Sequence, residues 1–195
     1  MLTLPRTLTL TPSQFAEVCA ANPEAVLELD ADGTLIEMTP TGGNTSARNS
    51  ALLFQLQAWA RTTGDWIVFD SSGGFRLPDG SVRSPDASLV RLDRWRALSE
   101  AERDGFPPLC PDLVVELASR SDEPQALRRK LAAYMANGAR LGWLLLPLSR
   151  SVEVWTPESA AGASIPAQVL AAGQPLEAGQ QFPGLRIDLA DIWGV

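Results

Sequence analysis

The sequence predicts an α/β (α+β) fold built on a mixed β-sheet flanked by helices. Two observations carry the prediction. Segments of helical and of strand character follow one another as a helix, several strands, a helix and more strands, the order expected of such a sheet. Residues 112–118 (Asp112-Leu113-Val114-Val115-Glu116-Leu117-Ala118) are the most apolar of the strand candidates and so belong at its centre. With 195 residues, no internal repeat and no dividing linker, the chain is expected to form one domain over 1–195.

Thr11-Pro12 marks the first helix, with threonine at the N-cap and proline at the first helical position, running to about Asn22. Residues 25–30 and 34–38 are short strands around Ala31-Asp32-Gly33, a hairpin turn. Leu52, Leu53, Leu56 and Trp59 recur at spacings of three and four, which predicts a helix from 44 or 45 to 63, closed by Gly64. Trp66-Ile67-Val68-Phe69 is a buried strand and Phe75-Arg76-Leu77 a second extended piece. Ser71-Ser72-Gly73-Gly74 and Pro78-Asp79-Gly80 are the turns around it, and 81–90 is predicted as one strand carrying Asp86. The charged stretch 91–104 includes a short helix around Trp95 and Leu98. After the central strand, Ser121 or Asp122 caps a helix over 123–137, with Gly138 just past its end. Residues 141–146 and 151–155 are strands, 157–165 is a loop of small residues, 168–172 and 185–189 are weak strands, and 189–193 is a last helical turn.

Composition removes whole classes of chemistry. The chain has no histidine, which excludes Ser-His-Asp and Cys-His mechanisms, histidine-ligated zinc and a histidine general base. Cys19 and Cys110 lack metal-like spacing and are expected as reduced thiols in a cytoplasmic protein. The longest strongly apolar run, Trp143 to Leu148, is far shorter than the roughly 20 residues of a bilayer span. The N-terminus also lacks a secretory pattern, so no membrane partner is expected. A net charge of −7 argues against broad electrostatic capture of nucleic acid, although residues 76–103 carry six arginines against five acids.

Strand alternation then selects candidate site residues. In 112–118, Asp112, Val114, Glu116 and Ala118 share one face, and Leu113, Val115 and Leu117 share the other. An acid in so apolar a strand is costly to bury unless it is paired or ligates a cation. Asp86 shares its face with Ser84 and Ser88, so if the two strands are neighbours, Asp86 and Glu116 converge on one ion. Oxygen-only ligands suit Mg²⁺ or Mn²⁺. Lys130 is the chain's single lysine beside fifteen arginines. By the 100° helical step it falls at the edge of the stripe of Leu127, Leu131 and Tyr134, while Arg128 and Arg129 point away. A compact ammonium there can orient a water or stabilise developing charge. On spacing alone, an acid at a strand-end turn plus an acid paired with some arginine is an equal alternative for Asp86 and Glu116. A solvated surface lysine is the alternative for Lys130.

Several motifs together resemble a known family. They are Met38-Thr39-Pro40-Thr41-Gly42-Gly43, Phe69-Asp70-Ser71-Ser72-Gly73-Gly74-Phe75-Arg76-Leu77-Pro78, Ser84-Pro85-Asp86-Ala87, Leu109-Cys110-Pro111-Asp112-Leu113-Val114-Val115-Glu116-Leu117, and Lys130 through Tyr134 to Leu144. Over nearly its whole length the chain resembles the Uma-two family of restriction endonucleases, a branch of the PD-(D/E)XK nuclease superfamily. The resemblance implies a restriction-endonuclease-like mixed sheet flanked by helices, with Asp86 and Glu116 as metal-binding acids and DNA as the substrate. The superfamily's usual lysine position, two residues after the second acid, is Ala118 here, and Lys130 on the following helix matches the family's displaced lysine. Glu28 matches an acid that often completes such sites, although its place opposite Leu27 and Leu29 equally suits an exposed hairpin acid. Relatives tend to carry an acid where this chain has Leu146.

The function expected from these readings is divalent-metal-dependent hydrolysis of DNA phosphodiesters, with catalytic Asp86, Glu116, Lys130 and Glu28 and metal ligands Asp86 and Glu116. Two alternatives stand beside it: a catalytically silent nuclease fold serving as a binding or assembly module, and a metal-dependent hydrolase of small phosphate esters. Arg76 and Arg83 are candidate phosphate contacts, with pairing to Asp70 or Asp79 at least as well supported. Trp59, Trp66 and Trp143 are assigned to the core. A homodimer is carried as a partner, on apolar segments near Trp143 and Trp193.

Overall fold

The computed structural model describes residues 8–160 and 165–194. Helix α1 (Pro12–Ala21) starts as predicted, with Thr11 and Gln14 forming a reciprocal capping box and Pro12 in the first turn. Strands β1 (Val26–Leu29) and β2 (Leu35–Met38) pair antiparallel around a turn in which Gly33 has φ 85°. A Cβ at Gly33 would lie 2.8 Å from the Leu10 carbonyl oxygen, so both backbone and space require glycine. Helix α2 (Gly43–Thr63) ends on Gly64 in the left-handed conformation. Four strands follow: β3 (Trp66–Asp70), β4 (Phe75–Arg76), β5 (Val82–Arg83) and β6 (Ala87–Arg91). Short helices α3 (Leu92–Arg96) and α4 (Glu100–Asp104) lead to β7 (Leu113–Leu117). Helix α5 (Pro124–Ala136) joins β7 to β8 (Leu141–Leu146), and β9 (Ser151–Trp155) and α6 (Pro157–Ala160) come next. The described chain closes with β10 (Gln168–Leu170), β11 (Leu176–Glu177), β12 (Arg186–Ile187) and α7 (Leu189–Trp193).

The main sheet has the order β10-β9-β8-β7-β6-β3. Only β7 and β8 pair in parallel, which is the pair that α5 connects, and the other neighbours are antiparallel. This is the predicted mixed sheet, with the 112–118 segment inside it. On one face, Leu52, Leu56 and Trp59 of α2 and Leu189 and Ile192 of α7 pack on Ala87, Leu89, Leu113, Val115, Leu117, Trp143 and Leu145. On the other, Leu131, Tyr134 and Met135 of α5 pack on Val90, Val114 and Trp155. Helix α5 sits close because β8 has glycine beneath it: a Cβ at Gly142 would meet Leu131 Cδ1 at 2.5 Å and Met135 Cε at 2.9 Å. A smaller sheet, β2-β1-β5-β4, is covered by α1, with Phe15 against Leu27, Leu29 and Val82.

Several expectations are corrected. Residues 81–90 are not one strand. Pro85 offers no N–H to a ladder, and the chain changes sheets there, leaving β5 in the small sheet and β6 in the large one. Stretch 91–104 holds two short helices, the second begun by a Ser99–Glu102 capping box. The residue preceding α5 is Glu123, without a side-chain cap, because Asp122 instead accepts the Ser119 N–H at 2.7 Å. Residues 157–160 form a helical turn, whereas 161–164 lie outside the described residues. The weak strands are shorter than predicted, and β11, two residues long, was not expected. Trp143 is fully buried, whereas Leu148 at the end of the same apolar run is 77% exposed. Cys19 and Cys110 are free thiols, and no described helix is long and apolar enough to cross a membrane.

The C-terminal end of α5 is clamped to the β4–β5 turn. Asn137 accepts the Asp79 N–H at 2.9 Å and donates to Asp79 Oδ2 at 2.8 Å, while Ser81 donates to Asp79 Oδ1 through its N–H and hydroxyl. Burial alone would raise the Asp79 pKa, but the Ser81 and Asn137 hydrogen bonds and the Arg83 charge hold it below its ordinary 3.8. A carboxylate depressed in the folded state contributes stability that is present above its unfolded pKa and is lost as pH falls through its folded one. Asn137→Ala is therefore expected to shrink the stability that the protein gains as pH rises from below the folded Asp79 pKa to above its unfolded one, read as chemical-denaturation midpoints across the acidic range.

Candidate active site

The β6–β7 register pairs Ala87 with Val115, so one step further along the ladder Asp86 stands opposite Glu116. Both lie on the α5 side of the sheet, the side of Val114 and Val90. Asp86 is fixed at the strand entrance by two bonds. Its Oδ2 accepts the Leu117 N–H at 2.7 Å, and its carbonyl accepts Asn49 Nδ2 from α2 at 3.0 Å. Glu116 is only 3% exposed.

Lys130 reaches down from α5 into this pair. Its Nζ lies 2.9 Å from Glu116 Oε1 and 2.8 Å from Glu28 Oε1, and it donates to the Ser84 carbonyl at 3.0 Å. The Lys130 side chain keeps 11% of its exposure, against 2–3% for the two acids that it pairs. Glu28 comes from β1 in the small sheet and is 2% exposed. Its Oε1 also accepts the Ser84 N–H at 2.9 Å, and its Oε2 accepts from Arg83 at 3.2 Å. Arg83 in turn bonds Asp30 at 2.7 Å. The site thus joins both sheets and the one helix that carries lysine.

The charges are unevenly compensated. Burial pushes the Glu116 carboxyl up to about 8, and the Asp86 and Glu28 charges add to that effect, against a downward pull from Lys130. Asp86 is also raised, first by burial, then by Asp122 and Glu28, despite the Leu117 N–H and Lys130. Burial would lower Lys130, yet Glu116 and Glu28 outweigh it and keep the ammonium protonated. Both shifts come first from burial and then from the neighbouring acids, and a cation held between the two carboxyls would oppose them. Tyr134 lies fully buried beneath, close enough for the charges of Glu116 and Glu28 to raise its pKa further after burial, and its hydroxyl has no hydrogen-bond partner among the described residues.

All four predicted site residues therefore come together: Glu28, Asp86, Glu116 and Lys130. The exposed alternative for Glu28 is overturned, because α1 covers one face of β1 while the site covers the other. The solvated-surface alternative for Lys130 falls with it. Two other placements are corrected, and one further acid gains its partners. Arg83 pairs with Glu28 and Asp30 and not with Asp70 or Asp79. Arg128 does not point away but grips Glu153 of β9 through Nε at 3.0 Å and Nη2 at 2.5 Å. Asp112, on the same strand face as Glu116, is held by the Arg91 N–H and by Arg94, each at 2.9 Å. Asn49 and Tyr134 were not singled out as site neighbours. An asparagine in the body of a helix was the available hint for the first, and position 134, one turn beyond Lys130 on the same helical row, for the second.

Comparisons with other proteins bear on the family and the fold. The Uma2 family model, described as "Putative restriction endonuclease", matches residues 12–190, nearly the full length of the chain. The chain belongs to the Uma2 family. Among solved structures, this Uma2 chain is similar to a "putative nuclease belonging to DUF820" from Anabaena variabilis ATCC 29413, with a TM-score of 0.74 and 17% identity over 95% of this chain and 98% of that one. At that identity the likeness establishes the shared fold. No curated protein matches the chain.

Proposed function

We propose that this Uma2 protein is a divalent-metal-dependent endonuclease that hydrolyses DNA phosphodiester bonds. The observation that supports it most is the convergence of Asp86, Glu116, Glu28 and Lys130 at the junction of the two sheets. Asp86 and Glu116 would hold Mg²⁺ or Mn²⁺. Among the described residues no cluster of three or more His, Cys, Asp or Glu side chains forms a self-sufficient metal cage. Mg²⁺ commonly takes one or two carboxylates and completes its shell with water and substrate phosphate, so the all-oxygen pair fits. The raised pKa values of both buried acids fit as well, since a bound cation would favour their ionised forms. When bound, such an ion supplies Lewis acidity and lowers the pKa of a coordinated water.

The chain's own residues supply the rest. The Leu117 N–H and Asn49 hold Asp86 at a fixed place on the rim. Lys130 stays charged and is aimed by Glu28 and the Ser84 carbonyl, where it can orient the attacking water or stabilise charge developing on the phosphate. Purified protein incubated with supercoiled plasmid and Mn²⁺ is expected to nick it, and Asp86→Asn to lower the rate by about 10²-fold or more. Equal trace nicking by both would sink the assignment.

One observation favours a second reading, a catalytically silent binding module: the Lys130 ammonium already pairs Glu28 and Glu116 without an ion. Calorimetric titration with Mn²⁺ separates the two. Binding that disappears in Asp86→Asn and Glu116→Gln supports the nuclease, and no binding to the wild type supports the silent module.

A further inference from the structure

We propose that Arg83 is a positioning residue that clamps Glu28 and, through Glu28, sets the Lys130 ammonium over Glu116. Residues 83 and 84 grip Glu28 from both sides. The Arg83 guanidinium takes Oε2, the Ser84 N–H takes Oε1, and the Ser84 carbonyl accepts a hydrogen bond from Lys130. Arg83 is itself 8% exposed and is braced from outside by Asp30. It is the one guanidinium within ion-pair distance of Glu28 among the described residues.

The consequence follows from the chemistry of a buried carboxylate. With Arg83 present, both Glu28 oxygens are engaged and the carboxylate plane cannot turn. Lys130 then has a fixed acceptor on the small sheet and hangs between it and Glu116 on the large one. Without Arg83, Glu28 keeps a single cation, and the Lys130 stem, four carbons long, can follow whichever carboxylate moves. Arg83-Ser84-Pro85-Asp86 therefore acts as one unit: its first two residues anchor the lysine, and its last presents the acid. Among the described residues the Arg83 guanidinium bonds Glu28 and Asp30 and neither Asp86 nor Glu116, so Arg83 acts through Glu28 and not on the reacting atoms.

Two independent readouts test this. The first is plasmid nicking in Mn²⁺, which rests on the nuclease reading. Arg83→Met is expected to lower kcat by about 10- to 100-fold, the size of effect typical when an outer positioning residue is removed, with KM and Mn²⁺ affinity within about twofold of wild type. Arg83→Lys is expected to recover part of kcat by restoring a cation. The second readout needs no activity. Because Lys130 is the only lysine, its acylation by an amine-reactive ester can be followed by peptide mass spectrometry, and Arg83→Met is expected to speed it by about tenfold. Asp30→Asn removes only the outer brace, and serves if Arg83→Met does not fold. It is expected to shift both readouts in the same direction by a smaller amount. Unchanged labelling of Lys130 in these variants, or loss of activity through KM alone, overturns the positioning role. A wild type that never nicks DNA while Arg83→Met still exposes Lys130 would overturn the nuclease reading and leave the clamp standing.

Discussion

Lys130→Ala is expected to lower Mn²⁺-dependent plasmid nicking by about 10²-fold or more, with the protein still folded. The magnitude follows from what Nζ touches. It is the cation between Glu28 and Glu116, within 3.0 Å of both and of the Ser84 carbonyl, so alanine removes a preorganised positive charge at the place where a phosphate would develop negative charge. The fold survives because Glu116, already raised to about 8, can take up a proton when its partner is lost, which neutralises a charge that would otherwise be buried alone. Lys130→Arg is not expected to rescue. A planar fork cannot place three donors on oxygens that converge from β1, β7 and the residue after β5. Circular dichroism and thermal melting separate loss of chemistry from loss of structure. A folded Lys130→Ala protein that nicks at the wild-type rate would remove lysine from the reaction.

The site was legible wherever a residue's own element settles its direction. Alternation along 112–118 places Glu116 on the face opposite Leu113, Val115 and Leu117, and the structure has it there because both β7 neighbours are strands and one face is filled by α2. The helical step turned Lys130 toward the sheet for the same reason: Leu131 and Tyr134 beside it are core. What failed needed knowledge of a second element. Glu28 was open between site and solvent because nothing in 25–30 states that the face opposite Leu27 and Leu29 is covered by α5 and residues 83–84. Arg83 was paired with acids near it in sequence, but β5 lies beside β1 in space, which brings Glu28 and Asp30 within reach instead. The strand 81–90 looked continuous because its two halves belong to different sheets, and only Pro85 marked the change.

Arg128 was the largest misplacement, and it yields the largest stability effect expected away from the site. The helical wheel turned it outward because the wheel accounts for α5 alone. In the structure β9 extends under that flank of the helix and presents Glu153, which is 3% exposed and would be buried without compensation. Arg128 meets it with Nε at 3.0 and 3.1 Å from its two oxygens and Nη2 at 2.5 Å, the fork geometry that lysine cannot reproduce. Removing one partner of such a pair costs more than removing both, because the remaining charge loses its only compensation. Arg128→Ala is expected to destabilise the protein by about 3 kcal/mol, which corresponds to a fall in Tm of roughly 6–12 °C for a chain of this size. The double variant Arg128→Ala with Glu153→Gln is expected to recover part of that loss, and both proteins to keep wild-type Mn²⁺ affinity, since Glu153 stands apart from Asp86 and Glu116 with Leu144 between it and Glu116 in the sheet register. Thermal unfolding of the two variants decides it: equal destabilisation of single and double variants would mean that the pair contributes packing alone, and that burying Glu153 is not what makes Arg128 necessary.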